Sequence, residues 1–165
     1  MNHLVTIKFI EHLRNGVVLW RSENIKNIIH LEGREYLIKA AFSNDGSLIP
    51  LNYYLGLDSR DTLAAEDNMS SITDEPIGSG YVRQPIPTDG TGFTISNVSG
   101  VYKALSQIVT FSASGTGWGP VKNMFLTTES DNSGILISSI FLTSPLSTSA
   151  GDTVSIQIQM SLQDV

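Results

Sequence analysis

The chain has 165 residues, no cysteine and a formal net charge of −6. This length suits one domain that buries its core without disulfides or metal, so we expect a single domain over residues 1–165. The lack of cysteine excludes a disulfide framework, a thiolate metal site and a cysteine nucleophile. Residues 61–165 hold three Lys or Arg against ten Asp or Glu. Such an acidic surface repels phosphate backbones, so we expect no direct contact with nucleic acid.

The N-terminal segment alternates in polarity and carries charge, unlike the apolar stretch of a signal peptide. No run reaches the roughly 18 apolar residues of a transmembrane helix, so we expect no membrane partner. Residues 4–12 and 17–21 flank an Asn15-Gly16 pair, which predicts a β-hairpin. We interpret this hairpin, residues 1–21, as an arm available for assembly contacts.

Helical signals follow the hairpin. Ser22 or Asn24 is a suitable cap for a short helical turn through residues 25–29. Apolar residues then recur at helical spacing within residues 32–42, which predicts the one short α-helix of the chain. After a turn rich in Asn, Asp, Gly and Ser, residues 51–57 have the pattern of a strand.

A long irregular stretch covers residues 62–80, with one helical turn predicted near residues 64–69. A connection of this length is uncommon inside a compact domain unless it carries function or wraps a neighbour. We therefore treat it as the leading candidate for contacts between subunits. Residues 81–86 and 93–98 follow as short strands. Pro85 within the first of them and Pro87 just after it place that strand at a sheet edge.

Four runs in the last third alternate between apolar and polar residues. They cover residues 101–112, 120–128, 134–143 and 153–162. Alternation with period two predicts antiparallel strands that bury one face and expose the other to water. Together the segments predict a mainly β fold of eight or nine strands. We expect an antiparallel β-sandwich or open barrel with an N-terminal hairpin and one helix that covers an end or edge.

Residues suited to catalysis or metal binding are sparse. The histidines are His3, His12 and His30, and none has a second ligand at metal-binding spacing. We expect ordinary surface or capping roles for the last two. Arg60, between two aspartates, is interpreted as part of a loop salt bridge, and residues 129–134 resemble a fragment of a calcium loop or, more simply, a hairpin turn. We expect no enzyme activity, no metal and no cofactor.

Aromatic residues are spread over the predicted strands, which is typical of a sandwich core. A carbohydrate-binding module would instead expose several of them as a platform beside polar loops. Binding of a host glycan therefore remains an alternative of a different class.

Several short motifs occur in a fixed order within residues 50–165. They are Tyr53-Tyr54-Leu55-Gly56-Leu57, Glu75-Pro76, Gly80-Tyr81-Val82-Arg83-Gln84, Trp118-Gly119-Pro120-Val121 and Gly151-Asp152-Thr153. In this order they resemble small virion proteins of tailed bacteriophages. The resemblance implies a non-enzymatic component of the virion, assembled in the host cytoplasm. We expect a capsid decoration (cement) protein ahead of a tail fibre or baseplate component, with a glycan-binding module of the tail tip as a further alternative.

This function implies two partners, the major capsid protein and further copies of this chain. A trimer is expected from the local threefold sites of capsids. The acidic body and the long loop favour the decoration role, since the loop can lap over neighbours. Candidate contacts between subunits are Arg60, Asp74, Glu75, Tyr81, Arg83 and Gln84. For Arg83, a bidentate contact with a neighbour and an intramolecular salt bridge are both open.

Overall fold

The computed structural model describes residues 5–161, which form eleven strands, one α-helix and two short 3-10 turns at Gly46–Leu48 and Met69–Ser71. The first part of the chain comprises β1 (Val5–Arg14), β2 (Val17–Lys26), β3 (Ile28–Ile29), α1 (Leu31–Phe42) and β4 (Asn52–Asp58). The middle comprises β5 (Gln84–Pro87), β6 (Phe93–Val98), β7 (Val101–Ser106) and β8 (Val109–Ser112). The last strands are β9 (Val121–Thr127), β10 (Leu136–Leu146) and β11 (Asp152–Ser161).

The strands form two antiparallel sheets, which confirms the predicted mainly β sandwich. Sheet I has the order β2-β1-β11-β7-β6, and β8 lies beside the first half of β11 on the same side as β7. Sheet II has the order β3-β10-β9-β4-β5. β5 is an edge strand, as its prolines predict.

The main core lies between the sheets and draws on both. Sheet I contributes Ile7, Ile10, Val109, Phe111, Val154, Ile156 and Ile158, and sheet II contributes Leu55, Leu57, Ile86, Val121, Met124, Leu126, Ile137, Ile140 and Leu142. The predicted helix is present as α1 and lies against β10. A Cβ on Gly33 would lie 2.4 Å from the carbonyl oxygen of Ile137, so only glycine permits this close approach. Within the described residues, no helix is long and apolar enough to cross a membrane.

The predicted N-terminal hairpin is present, but it belongs to the body of the sandwich. Asn15 and Gly16 both have positive φ angles, 52° and 77°, as a type I′ turn requires. β1 lies between β2 and β11, and its Ile7 and Ile10 are fully buried in the core. Of the two hairpin strands, only the outer strand β2 therefore offers an edge to a neighbour.

Two local predictions are wrong. The helical turn expected at residues 25–29 is instead the end of β2 followed by β3, because Ile25 pairs with Ile7 and packs against the core. The run 101–112 forms two strands, because β7 and β8 pair with different parts of β11. A third is correct only in part: the strand expected at residues 81–86 begins at Gln84.

Candidate functional site

The long connection between β4 and β5, residues 59–83, covers the outer face of sheet II. We call it the cover loop. Its Leu63, Met69 and Ile72 are buried together with Phe125 of β9 and Leu136 of β10 in a second apolar cluster. This loop was expected to lap over neighbouring subunits, but these apolar side chains pack against the sheet of the same chain. As a result β9 is buried on both faces, which corrects the expected exposure of one face to water.

The glycine of the Tyr-Leu-Gly-Leu motif makes room for this cluster. Gly56 of β4 lies opposite Phe125 of β9. A Cβ on Gly56 would lie 2.2 Å from Cζ of the Phe125 ring, far inside van der Waals contact. The aromatic ring can pack against the backbone of residue 56 only because this residue has no side chain.

Arg83 fastens the far end of the cover loop. Its Nε donates to Oε2 of Glu75 at 3.0 Å, and Nη2 donates to the other carboxylate oxygen. The guanidinium carbon lies 5.0 Å from the centre of the Phe125 ring, and the side chain is 4% exposed. Of the two interpretations left open by the sequence, the structure contains the intramolecular salt bridge. The guanidinium could reach a neighbouring subunit only if this arrangement opened.

The same guanidinium holds the turn at residues 129–134. Nη1 donates to the carbonyl oxygens of Glu129 and Asp131, and Nη2 donates to Oδ1 of Asn132. The Asp131 side chain accepts from the backbone and hydroxyl of Ser133. This segment is therefore a turn whose carbonyls face an arginine, which favours the hairpin interpretation over a calcium loop.

Tyr81 joins this ion pair to the main core. Its ring stacks on Phe111 at 5.9 Å and meets Trp118 edge-on at 6.3 Å. The hydroxyl donates to Oε2 of Glu75 at 2.7 Å and accepts from the backbone N–H of Leu57 at 2.8 Å. Burial, and then the nearby Glu75 carboxylate, raise the pKa of the Tyr81 hydroxyl well above its usual range. It is a fixed hydrogen-bond donor at neutral pH.

Arg60, another predicted contact, lies at the start of the cover loop. Its Nη1 donates to the carbonyl oxygen of Ser71, and Nη2 lies 3.7 Å from the Asp67 carboxylate. The loop salt bridge predicted for Arg60 thus uses Asp67, while Asp61 pairs with Lys122.

Asp74 and Gln84 lie beside the network and are not part of it. The Asp74 backbone N–H donates to Oδ2 of the buried Asp58 at 3.1 Å, and its own side chain is exposed. Gln84 is half-buried and donates to the carbonyl oxygen of Val82 at 3.0 Å. Of the six predicted contact residues, the structure thus joins Glu75, Tyr81 and Arg83 directly.

Asp152, from the Gly-Asp-Thr motif, is a buried anchor that was not among the predicted site residues. Its carboxylate accepts from Arg14 Nε at 2.7 Å and from the Ser149 backbone N–H at 2.9 Å, and it contacts His12 Nε2 at 2.8 Å. The hydrogen bond from Arg14 holds the pKa of Asp152 well below its usual range. His12 is buried here, so the surface role expected for it is wrong. Asp152 ties the N-terminal hairpin to β11.

His30 is also fully buried, which corrects the capping role expected for it. It precedes α1 but makes no side-chain capping bond; its Nε2 lies 2.8 Å from the Ser139 hydroxyl on β10. Burial lowers the pKa of His30. Next to it, Oε1 of Glu32 accepts from the backbone N–H groups of Leu136 and Met69. The start of α1 therefore joins the cover loop to sheet II.

The motif residues from distant parts of the sequence form one connected cluster, which we call the motif cluster. Glu75 bonds Tyr81, whose ring meets Trp118. The Trp118 backbone N–H donates to the Thr148 hydroxyl at 2.9 Å, and the Trp118 carbonyl oxygen accepts from the Thr148 backbone N–H at 2.8 Å. Ser149 then donates to Asp152. These contacts join the cover loop to the loops that precede β9 and β11.

Among residues 5–161, no three His, Asp or Glu side chains converge as a metal-ligand set. No protein-family model and no curated protein sequence matches this chain.

Proposed function

We propose that this protein is a structural component of a tailed-bacteriophage virion, and within that a capsid decoration protein that stabilises the shell. The observation that supports it is the motif cluster. The residues on which the resemblance depends lie far apart in sequence, yet Glu75, Tyr81, Trp118 and Asp152 belong to one set of contacts.

The charged side chains at this cluster stabilise the conformation of the loops. Arg83, Glu75 and Asp152 are bonded to groups of their own chain, so they hold loops in place. Removing one partner of such a buried pair is costly, and the intact pair fixes one conformation of the loop. A rigid surface suits a protein that must fit a repeating lattice, because less conformational entropy is lost on binding.

Under this proposal, the outward side of the cover loop meets the major capsid protein. Ile77 is 96% exposed and Val82 is 63% exposed, and the exposed Asp74 side chain belongs to the same loop. These groups are free to contact a partner, whereas Arg83 is already engaged. On the shell, three copies of this chain meet around a local threefold position.

The glycan-binding alternative would need a shared aromatic platform. The exposed strand aromatics Tyr102 and Phe141 lie on β7 of sheet I and β10 of sheet II. Tyr53, Tyr81, Phe93, Phe111, Trp118 and Phe125 pack against the apolar clusters. The decoration role is therefore preferred.

Quantitative mass spectrometry of purified virions tests this proposal. A copy number comparable with that of the major capsid protein supports decoration, and a number far below it moves the protein to the tail. Its absence from virions overturns the proposal. A second test adds Ile77→Asp/Val82→Asp protein to shells that lack this chain. Binding should be lost, whereas the Ile49→Asp/Leu51→Asp control, at 59% and 87% exposed residues outside the cover loop, should still bind.

A further inference from the structure

The edge strands of the two sheets differ in length and in their ability to pair with another strand. The edges of sheet II are β3, which has two residues, and β5, which has four residues of which two are proline. Short strands and prolines are common ways to prevent pairing with another chain. Sheet I ends in β6, a strand of six residues, and in β2, a strand of ten residues that pairs, within residues 5–161, with β1 alone. Its outward N–H and C=O groups are available to another strand.

The charges of β2 are arranged symmetrically about Ser22. Arg21 precedes it and Glu23 follows it, with side chains 44% and 50% exposed. Within the chain, Arg21 pairs with Glu11 and Glu23 and lies 4.9 Å over the Phe9 ring. If a second copy of β2 ran antiparallel with Ser22 opposite Ser22, each Arg21 would face Glu23 of the other copy. Opposite charges at directly facing positions stabilise a strand pair, and like charges destabilise it.

The regular part of this edge is short. His12 pairs with Trp20 while Leu13 pairs with Val18, so Leu19 is an extra residue in a bulge. Asn24, on the other side, has a φ of 52°. The stretch that can pair without distortion is therefore residues 20–23. Because the bulge and the positive φ limit the regular edge to four residues, we expect a weak contact.

We propose that β2 is a self-association edge through which two copies of this chain pair antiparallel about Ser22. The interface is isologous, because the Arg21 to Glu23 contact occurs twice around the two-fold axis. It goes beyond the proposed virion role and does not depend on it. A weak contact of this kind is strengthened greatly when many copies are held on one surface, because the second contact is then intramolecular.

Charge exchange tests the proposed register. Sedimentation of the wild-type protein should give an average mass that rises with concentration from 17.9 kDa toward twice that value. Arg21→Glu places acids opposite acids and Glu23→Arg places bases opposite bases, so each variant alone should remain monomeric. The double variant Arg21→Glu/Glu23→Arg restores opposite charges and should associate again. An equimolar mixture of the two single variants should form a mixed dimer.

A cross-link gives a second test that does not depend on the charges. Because the chain has no cysteine, a Ser22→Cys variant offers one thiol per copy. Residues that face each other in an antiparallel pair have Cα atoms about 4.5–5.5 Å apart, within the range of a disulfide. Mild oxidation should convert this variant to a covalent dimer. The Ser96→Cys control, exposed on the opposite edge strand β6, should stay largely monomeric.

Two controls keep these tests interpretable. The exchange Glu35→Lys/Lys39→Glu reverses an exposed ion pair on α1 and should leave self-association unchanged. Thermal unfolding should show that every variant is folded. The proposal is overturned if wild type stays monomeric at all concentrations, if both single variants associate as wild type does, or if Ser22→Cys and Ser96→Cys cross-link equally.

Discussion

The central strands of the two sheets differ in what lies over their outer faces. In β9 of sheet II, six of the seven residues are buried, because the cover loop lies over the outer face. In β11 of sheet I, buried residues alternate with half-buried ones along most of the strand, so its outer face is only partly covered. The outer face of sheet II is thus covered by its own chain, and its edges are strands of two and four residues. Sheet I leaves a face and the longer edge strands β2 and β6 to the surroundings.

Replacing Arg83 should have the largest effect on this difference, because it releases the cover loop from sheet II. Arg83→Ala leaves the Glu75 carboxylate with the Tyr81 hydroxyl but without its cation, and it removes the donor to the turn carbonyls. We expect a loss of about 3–5 kcal/mol in the free energy of unfolding, measured by chemical denaturation. Arg83→Lys keeps the charge but not the bidentate geometry and should lose less. A change below about 0.5 kcal/mol for Arg83→Ala would contradict the assigned role.

Crowding the Phe125 ring should have the next largest effect. Gly56→Ala places a methyl group against the ring, and overpacking of this kind costs about 1–3 kcal/mol. Adding Phe125→Leu should recover part of the loss. Gly46→Ala is the matched control, because a Cβ there meets no atom within 4 Å. Equal stability of Gly56→Ala and Gly46→Ala would show that the outer face of β9 is not tightly covered.

A substitution in sheet I separates the hairpin from the cover loop. Asp152→Asn keeps the size but replaces one acceptor oxygen with an NH2 donor and removes the charge that faces Arg14. Because the Arg14 side chain is 46% exposed, the loss should still be smaller than that of Arg83→Ala. The pKa of Asp152 is lowered in the folded protein, so its stabilising contribution is present above the ordinary pKa of about 3.9 and is lost as pH falls below it. Asp152→Asn should therefore lose less stability than wild type between pH 5 and pH 2. Parallel pH curves would contradict this.

The smallest expected effect concerns the start of α1. Because burial lowers the pKa of His30, the folded protein favours the neutral ring, and stability should fall as pH drops below the ordinary value of about 6.5. Asp67 acts in the opposite direction and reduces the effect. Thermal unfolding between pH 8 and pH 5 should show a weaker decline for His30→Gln. An unchanged decline would assign the pH dependence to other groups.

Local signals predicted much of sheet I. The Asn15-Gly16 pair identified the hairpin, and strict alternation identified β11, because both depend on residues close in sequence. The anchor Asp152 was not predicted as a site residue, since its partners His12 and Arg14 lie about 140 positions away.

The contacts of sheet II were not predictable from local sequence signals. The apolar residues of the cover loop, Leu63, Met69 and Ile72, follow no period, so nothing in the sequence placed them over Phe125. For Arg83, a carboxylate of its own chain and one of a neighbour are chemically equivalent partners, and only the three-dimensional arrangement distinguishes them. Gly56 belongs to a motif, but the need for glycine there comes from the Phe125 ring opposite it. That contact depends on strand register.

Hydrogen–deuterium exchange at several protein concentrations tests the difference between the sheets most directly. At low concentration, amides of β9 should exchange slowly and outward-facing amides of residues 20–23 in β2 quickly. At high concentration, protection should increase at residues 20–23 and remain constant in β9 and the cover loop. Fast exchange throughout β9, or concentration-dependent protection in the cover loop instead of β2, would contradict a closed sheet II and an open edge on sheet I.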